Sequence, residues 1–388
     1  MATPATVRRI NGAAALSLLW SDGPLTRAEM ARRLNLTKAS VASIIAQLES
    51  GGLVQEMDSL RSVKAGRPGT FVGIRPEGRY FIGIEIGVDR MNLVIMDLTG
   101  TVIHKAEKYE RFSDKPESFA LGELAKLFRG ALARLGRKAQ TLRDVRVAVP
   151  RYVRDGLYLI DAKVPGWSQS PLGEKLTQRL GIPVKIENDA NASAFAEWYL
   201  RAELHTQSMY LLLLESGVGG ACIVDGKLAL GSNGLAGEIG HAKFLLASNA
   251  SGNRRRTRVM EDLVGKAALL SGFEAAGLKC SGVADAITWL ASNDAAAVHA
   301  TGQWAEAVGA AVSFVALAYD VQNIVLGGEM AGLFEFIEPT VMRELKSTLP
   351  LGFPVPALGK AKFIDDGGAV GAAALGHADA LKVVELGG

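Results

Sequence analysis

Thr26-Arg27-Ala28-Glu29 and Thr37-Lys38-Ala39-Ser40, separated by Leu34-Asn35-Leu36, decide how the N-terminal part of this chain folds. Each begins with a threonine, whose hydroxyl can accept an orphan amide of a helix's first turn. Glu29 stands three residues after Thr26, the spacing of a reciprocal capping box. After Thr37 the apolar residues Val41, Ile44, Ile45 and Leu48 recur at helical spacing, and Gly51-Gly52 stops the run. Two short helices joined by a tight turn define a helix-turn-helix arrangement, in which the N-terminal residues of the second helix meet the major groove.

The surroundings of this pair agree with it. A first helix is expected over 5–20, with Ile10, Ala14 and Leu18 on one face, ending at Ser21-Asp22-Gly23-Pro24. Downstream, Leu53-Val54-Gln55-Glu56 and Thr70-Phe71-Val72-Gly73-Ile74 alternate like the two strands of a wing. Between them, Gly66-Arg67-Pro68-Gly69 is a narrow, extended peptide suited to placing Arg67 in a minor groove. Residues 1–75 carry 10 Lys and Arg against 5 Asp and Glu, whereas the remainder carries 33 against 35. The basic charge is thus confined to one module, which points to a polyanion as that module's partner. The DNA-contacting candidates are Arg27, Thr37, Lys38, Ser40, Ser43 and Arg67. A three-helix protein-interaction domain with a merely solvated basic face is the plainer alternative.

From Tyr80 onward the pattern becomes that of strands, helices and glycine turns. Phe81 to Gly87 and Met91 to Gly100 read as two strands of a meander, and Val145 to Val149 as a further strand. Met209 to Leu214 and Ala221 to Asp225 form a second hairpin-like pair. A helix over 303–319 leads into the buried strand Ile324-Val325-Leu326-Gly327-Gly328. This is an α/β chain with two similar halves. Its 388 residues, 48% hydrophobic and 21% charged, suit several packed cores. Cys222 and Cys280 lie far apart without partners at metal-ligand spacing, so a reducing, cytoplasmic setting is expected. No apolar run approaches the ~18 residues of a membrane span.

Several segments together carry a family resemblance. They are the N-terminal module with Gly66-Arg67-Pro68, Ile182 through Asn191, Gly226-Lys227 through Gly231, Ala236-Gly237-Glu238-Ile239-Gly240-His241, and Ile324 through Gly328. In order and spacing they resemble the ROK family of repressors and sugar kinases, and specifically its winged-helix repressor class. The resemblance implies a winged helix-turn-helix followed by a two-lobed, actin-like, sugar-kinase-like domain. It implies three parts: residues 1–75 as the DNA-binding domain, 76–190 with 367–388 as a small α/β lobe, and 191–366 as a large lobe carrying the dimerisation surface. It places sugar-contacting groups at Asn188, Asp189, Glu238, His241 and Glu261. Carboxylates, amides and imidazoles suit this task because buried sugar hydroxyls must keep their hydrogen bonds. In the family's kinases the residue matching Asp189 is the general base. Its other reading is a helix N-cap, and the other reading of His241 is a structural histidine.

The chain also departs from the family's kinases. Their Asp-x-Gly-Gly-Thr segment is here Glu85-Ile86-Gly87-Val88-Asp89, and their Gly-Thr-Gly loop is Glu215-Ser216-Gly217-Val218-Gly219. Val88 removes a glycine from the phosphate cradle, and Asp89 and Glu215 set negative charge toward a polyanion. ATP is therefore not expected as a cofactor. The family's cysteine-rich zinc segment is replaced by Ser251 through Arg258, without cysteine, so no metal is expected either. Arg151 and Lys163 replace residues common at the pocket edge and raise the possibility of an anionic ligand. The resulting expectation is a sugar-responsive repressor that binds an operator in double-stranded DNA as a homodimer or homotetramer, without a catalytic residue or membrane association. An ATP-dependent sugar kinase carrying a DNA-binding domain is the alternative, and a DNA-independent scaffold a third.

Overall fold

The computed structural model describes residues 3–57, 70–150, 152–155, 158–159, 167, 169–205, 207–245 and 257–382. Arg67, Arg151, Lys163 and residues 251–256 of the zinc-segment counterpart lie outside the described residues. The chain divides into two compact units. The first comprises Met1–Val147, Pro171–Ile186 and Ala372–Gly388; the second comprises Ala148–Ser170 and Glu187–Gly371.

The first unit begins with helices Pro4–Asp22, Arg27–Leu34 and Lys38–Ser50. The capping box forms in full: Glu29 N–H donates to Thr26 Oγ1 at 3.2 Å, and Thr26 N–H donates to Glu29 Oε2 at 2.9 Å. Thr37 Oγ1 likewise accepts from Ser40 N–H at 3.1 Å. Val41, Ile44, Ile45 and Leu48 are all buried, as their spacing required. The strand Phe71–Ile74 pairs antiparallel with both Leu25–Thr26 and Val54–Met57, which gives the base of a wing.

Behind this head lies a five-stranded sheet in the order Val184–Asn188, Leu142–Val149, Tyr80–Ile86, Arg90–Asp97, Val102–Tyr109. Its central strand Tyr80–Ile86 is buried throughout, whereas the edge strand Val102–Tyr109 alternates half-buried and exposed. The head is seated on this sheet by specific contacts. Trp20 Nε1 donates to the Thr99 carbonyl at 3.1 Å, and its ring lies 5.6 Å from that of His377. His377 is fully buried, meets Phe81 edge-on at 5.2 Å, and donates from Nε2 to the Leu98 carbonyl at 2.9 Å. A side chain at Gly78 would run into the Gly52 carbonyl and the Leu53 backbone. Glycine is what permits head and sheet to close up there.

The second unit repeats the plan. Its sheet runs Lys227–Leu228, Val218–Val224, Met209–Leu214, Asn323–Gly327, Ala357–Lys360. In each sheet three consecutive strands form a meander, and the two later strands lie on the far side of the meander's first. Met209–Leu214 is apolar almost without a break because both its faces are covered. Tyr210, Leu212 and Leu214 pack into a core with the helices Ala295–Tyr319 and Phe334–Thr348. Met209, Leu211 and Leu213 pack on Ala190 and Ala194 of the helix Asp189–Leu200. The Ala295–Tyr319 helix starts eight residues before the expected position 303, capped by Asp294, whose Oδ1 accepts from Ala297 N–H at 2.9 Å. Its Ala-rich first turns carry little amphipathic signal.

Burial lowers the pKa of His377 from its ordinary value of 6.5, which outweighs the opposing pull of the Leu98 hydrogen bond. The unfolded chain therefore binds this proton first. The stability that neutral His377 supplies is complete above pH 6.5 and is lost as pH falls from there toward the lower folded value. Replacing it by phenylalanine should flatten the dependence of denaturant stability on pH between about 7 and 5. His377→Ala, which also opens a cavity, should cost about 2–4 kcal/mol.

Candidate functional site

On the recognition helix the candidates Thr37, Lys38 and Ser43 are exposed and Ser40 is half-buried. Ala39, Ala42 and Ala46 are exposed alongside them, so the outward face bears small side chains. That combination lets a helix backbone approach a groove closely. Thr37 and Ser40 hydroxyls also bond each other at 2.9 Å, which orders the first turn. Arg27 is engaged within the head. Its guanidinium donates to Glu56 at 2.8 Å and lies 3.7 Å from Glu49, tying the Arg27–Leu34 helix to the wing strand and to the end of the recognition helix. Arg32 and Arg33 are exposed near the end of the Arg27–Leu34 helix and were not singled out from sequence. Arg33 is ion-paired to Asp22.

All five sugar-contacting candidates belong to the second unit, on segments that touch one strand, Val218–Val224. Ala190, next to Asp189, puts its methyl within 3.5 Å of where a Gly219 side chain would begin. Gly237 and Gly240, which flank Glu238, lie so close to the Gly220 and Val218 carbonyls that a Cβ on either would overlap them. Gly237 also has φ +97°, a conformation glycine adopts without strain. Glu261 Oε2 accepts from Val218 N–H at 3.4 Å.

Asn188 rather than Asp189 is the N-cap: its side chain accepts from Asn191 N–H at 3.0 Å, while Asp189 occupies the first helical position. Asp189 is buried and its Oδ1 accepts from Ala190 N–H at 2.8 Å. The second carboxylate before this turn, Glu187, holds both Asn188 N–H and the Asn191 amide, at 2.9 and 3.2 Å. Farther along the helix, fully buried Glu197 accepts from Phe363 N–H at 2.8 Å and from Arg201 at 2.9 Å. Glu238 is half-buried, and His241 is exposed with its ring 6.3 Å from that of Tyr152.

Tyr210 was not anticipated. Its hydroxyl donates to the Gly237 carbonyl at 3.3 Å, which fixes the backbone beside Glu238. Burial, with smaller contributions from neighbours including Glu238, pushes its phenol far above the ordinary range. The one polar-tipped residue in Met-Tyr-Leu-Leu-Leu-Leu is the signal that would have found it.

The two phosphate-loop counterparts are each engaged within their own unit. Asp89 is exposed and lies 3.6 Å from Arg111. Glu85 is buried, with Asn92 Nδ2 at 3.4 Å. Beside Glu215, Lys266 N–H donates to the Glu215 carbonyl at 3.2 Å, and Lys266 Nζ pairs with Glu329 at 2.8 Å.

A winged helix-turn-helix joined to a duplicated α/β body with a polar cluster on its second sheet defines the class: a DNA-reading head on a sugar-kinase-like, actin-like fold. The chain belongs to the ROK family, whose model matches residues 81–379, and a MarR family model matches residues 12–62. It is 23% identical to the xylose repressor of Bacillus subtilis (strain 168), over 93% of this chain and 96% of that one. It is 28% identical to the DNA-binding transcriptional dual regulator NagC of Escherichia coli (strain K12), over 61% of this chain and 57% of that one. The crystal structure of a ROK family transcriptional regulator, homolog of the E. coli MLC protein, superposes with a TM-score of 0.78 at 20% identity, covering 97% of each chain. Among the described residues no helix is long and apolar enough to cross a membrane.

The cap role of Asn188 can be measured by itself. Asn188→Ala should cost about 1 kcal/mol of denaturant stability through loss of the N-cap, and Asn188→Ser should restore most of it. If Asn188→Ala leaves stability unchanged, the capping assignment is wrong.

Proposed function

We propose that this chain is a sugar-responsive transcriptional repressor that binds operator DNA through residues 1–75 and a sugar through Asn188, Asp189, Glu238, His241 and Glu261. The observation that supports the reading is that the segments bearing those five residues all touch one strand, Val218–Val224, in a chain that also bears a helix-turn-helix with a small-residue outward face. The repressor names of relatives matched over most of the chain support it. Thr37, Lys38, Ser40, Ser43 and Arg67 serve the DNA, with Arg27 holding the wing to the recognition helix. A homodimer would present two recognition helices to successive turns of a palindrome. The setting is cytoplasmic.

The body binds its sugar without phosphorylating it. In the second phosphate loop the Val218 amide already donates to the Glu261 carboxylate, and Glu215 adds a further negative charge. A triphosphate would have to displace one carboxylate and approach another. No zinc or nucleotide is required by this account. The helix Gly367–Lys382 offers a route for the signal. Its residues up to Gly371 pack in the second unit, where Gly371 abuts the Ala192 carbonyl on the helix that starts at Asp189. Its later residues include His377, on which Trp20 of the head is seated. A shift of the Asp189 helix on sugar binding would thus be carried by one continuous helix to the base of the head.

The kinase alternative rests on Asp189, buried at the first turn where the family's kinases keep their base. A coupled assay with ATP, magnesium and a panel of hexoses and pentoses separates the two, because turnover at ordinary enzyme rates belongs only to the kinase. Asp189→Asn and Glu238→Gln should each weaken sugar binding, measured by calorimetry, by about 1–3 kcal/mol through an unpaired hydroxyl. Lys38→Ala should lower DNA affinity and reduce the slope of log K against log salt by about 1. An unchanged slope would remove Lys38 from the phosphate contacts.

A further inference from the structure

The strand Val102–Tyr109 forms the outer edge of the first unit's sheet. Its residues His104 to Tyr109 pair in unbroken antiparallel register with Ile95 back to Arg90, and the register shift lies beyond them, between Ile95 and Met96. Among the described residues no further strand pairs with its other side. The helix Glu117–Leu135 packs on one face of this strand and its neighbour without closing over the edge. A groove of about 440 Å³ separates them, lined by His104, Ala106 and Lys108 of the strand and by Leu127, Gly130 and Ala131 of the helix. A regular, uncovered edge presents a row of backbone donors and acceptors, which is a template for another strand.

We infer that this edge pairs with the same edge of a second copy of the chain, antiparallel about a two-fold axis through Ala106. The side chains select the partner. Ile103, Lys105, Glu107 and Tyr109 share one face and are all exposed, Ile103 by 45% and Tyr109 by 66%. In antiparallel order about Ala106, Ile103 stands opposite Tyr109 and Lys105 opposite Glu107. The axis makes each pair occur twice, giving two apolar and two opposite-charge pairs on one face. Within one chain the Tyr109 hydroxyl donates to Glu107 at 3.2 Å, an exposed bond that rearranges at little cost. On the other face Ala106 meets Ala106, small enough for close approach. His104 there stands opposite Lys108, whose long stem can carry its ammonium past the ring to solvent. Residues directly opposite share a face of the sheet, so the axis must fall on a residue. Moving it to Lys105 or to Glu107 would set like charges against each other. Lys105 alone reads as a charge that guards an edge against pairing; its place opposite Glu107 gives it a partner in a second copy instead.

This surface goes beyond the sugar reading and does not depend on it. Sedimentation velocity of the full chain over a concentration series reads it directly. Lys105→Glu and Glu107→Lys each place like charges opposite one another twice, and each should weaken self-association roughly tenfold or more. The double variant, Lys105→Glu with Glu107→Lys, exchanges the charges and restores both pairs. It should recover association to within about threefold of the unsubstituted chain. Such rescue separates the contact from simple misfolding of a single variant, which a second substitution would not repair. The inference is overturned if the single variants associate as well as the unsubstituted chain or better, which would make Lys105 an edge guard. It is overturned equally if the exchanged variant stays as weak as the single ones. A chain that does not self-associate across the series overturns it too, and leaves the edge to a strand from another protein.

Discussion

A DNA-reading head can report the state of a distant pocket only if it is not free to turn on its linker. In this chain that constraint is met by a buried, uncharged imidazole. His377 donates one hydrogen bond to the Leu98 carbonyl and offers its ring to Phe81 and Trp20, while Trp20 reaches the neighbouring Thr99 carbonyl. The contact succeeds because the ring stays neutral; protonating the imidazole would bury a charge in this largely apolar setting. Gly78 and Arg79 complete the seat by bringing the end of the recognition helix against the sheet. Head and sheet therefore form one unit, and whatever moves the sheet or its C-terminal helix moves the head.

The second unit solves a different problem, that of holding polar groups beside an almost wholly apolar sheet. It does so with backbone proximity. Gly237 and Gly240 let a loop lie directly on the strand Val218–Val224, and Tyr210 reaches through from the next strand to hold that loop by the Gly237 carbonyl. The Asp189 helix is fixed at its start by the Asn188 cap and farther along by Glu197, which binds Phe363 N–H and Arg201. These polar positions are thus set by packing and by hydrogen bonds to the backbone and to neighbouring side chains.

Local chemistry was the legible part of the sequence. The threonine caps, the Glu29 capping box, the buried heptad-like face of the recognition helix and both hairpins follow from residue type and spacing alone, because each is decided within a few positions. Matters settled at long range were not legible. Nothing near Arg27 in sequence shows that Glu56 and Glu49 fold back onto it. The cap reading falls on Asp189, and only the backbone at the turn assigns the cap to its neighbour Asn188.

On the proposed reading, sugar occupancy of the body changes how the head holds DNA. Its most direct test is the affinity of the full-length chain for a duplex selected from its own genome, measured by fluorescence anisotropy with and without each of a panel of neutral sugars. At least one sugar should change the dissociation constant by about 5- to 150-fold, the range of ordinary coupling energies. Tight, salt-sensitive DNA binding that no sugar alters would contradict the claim.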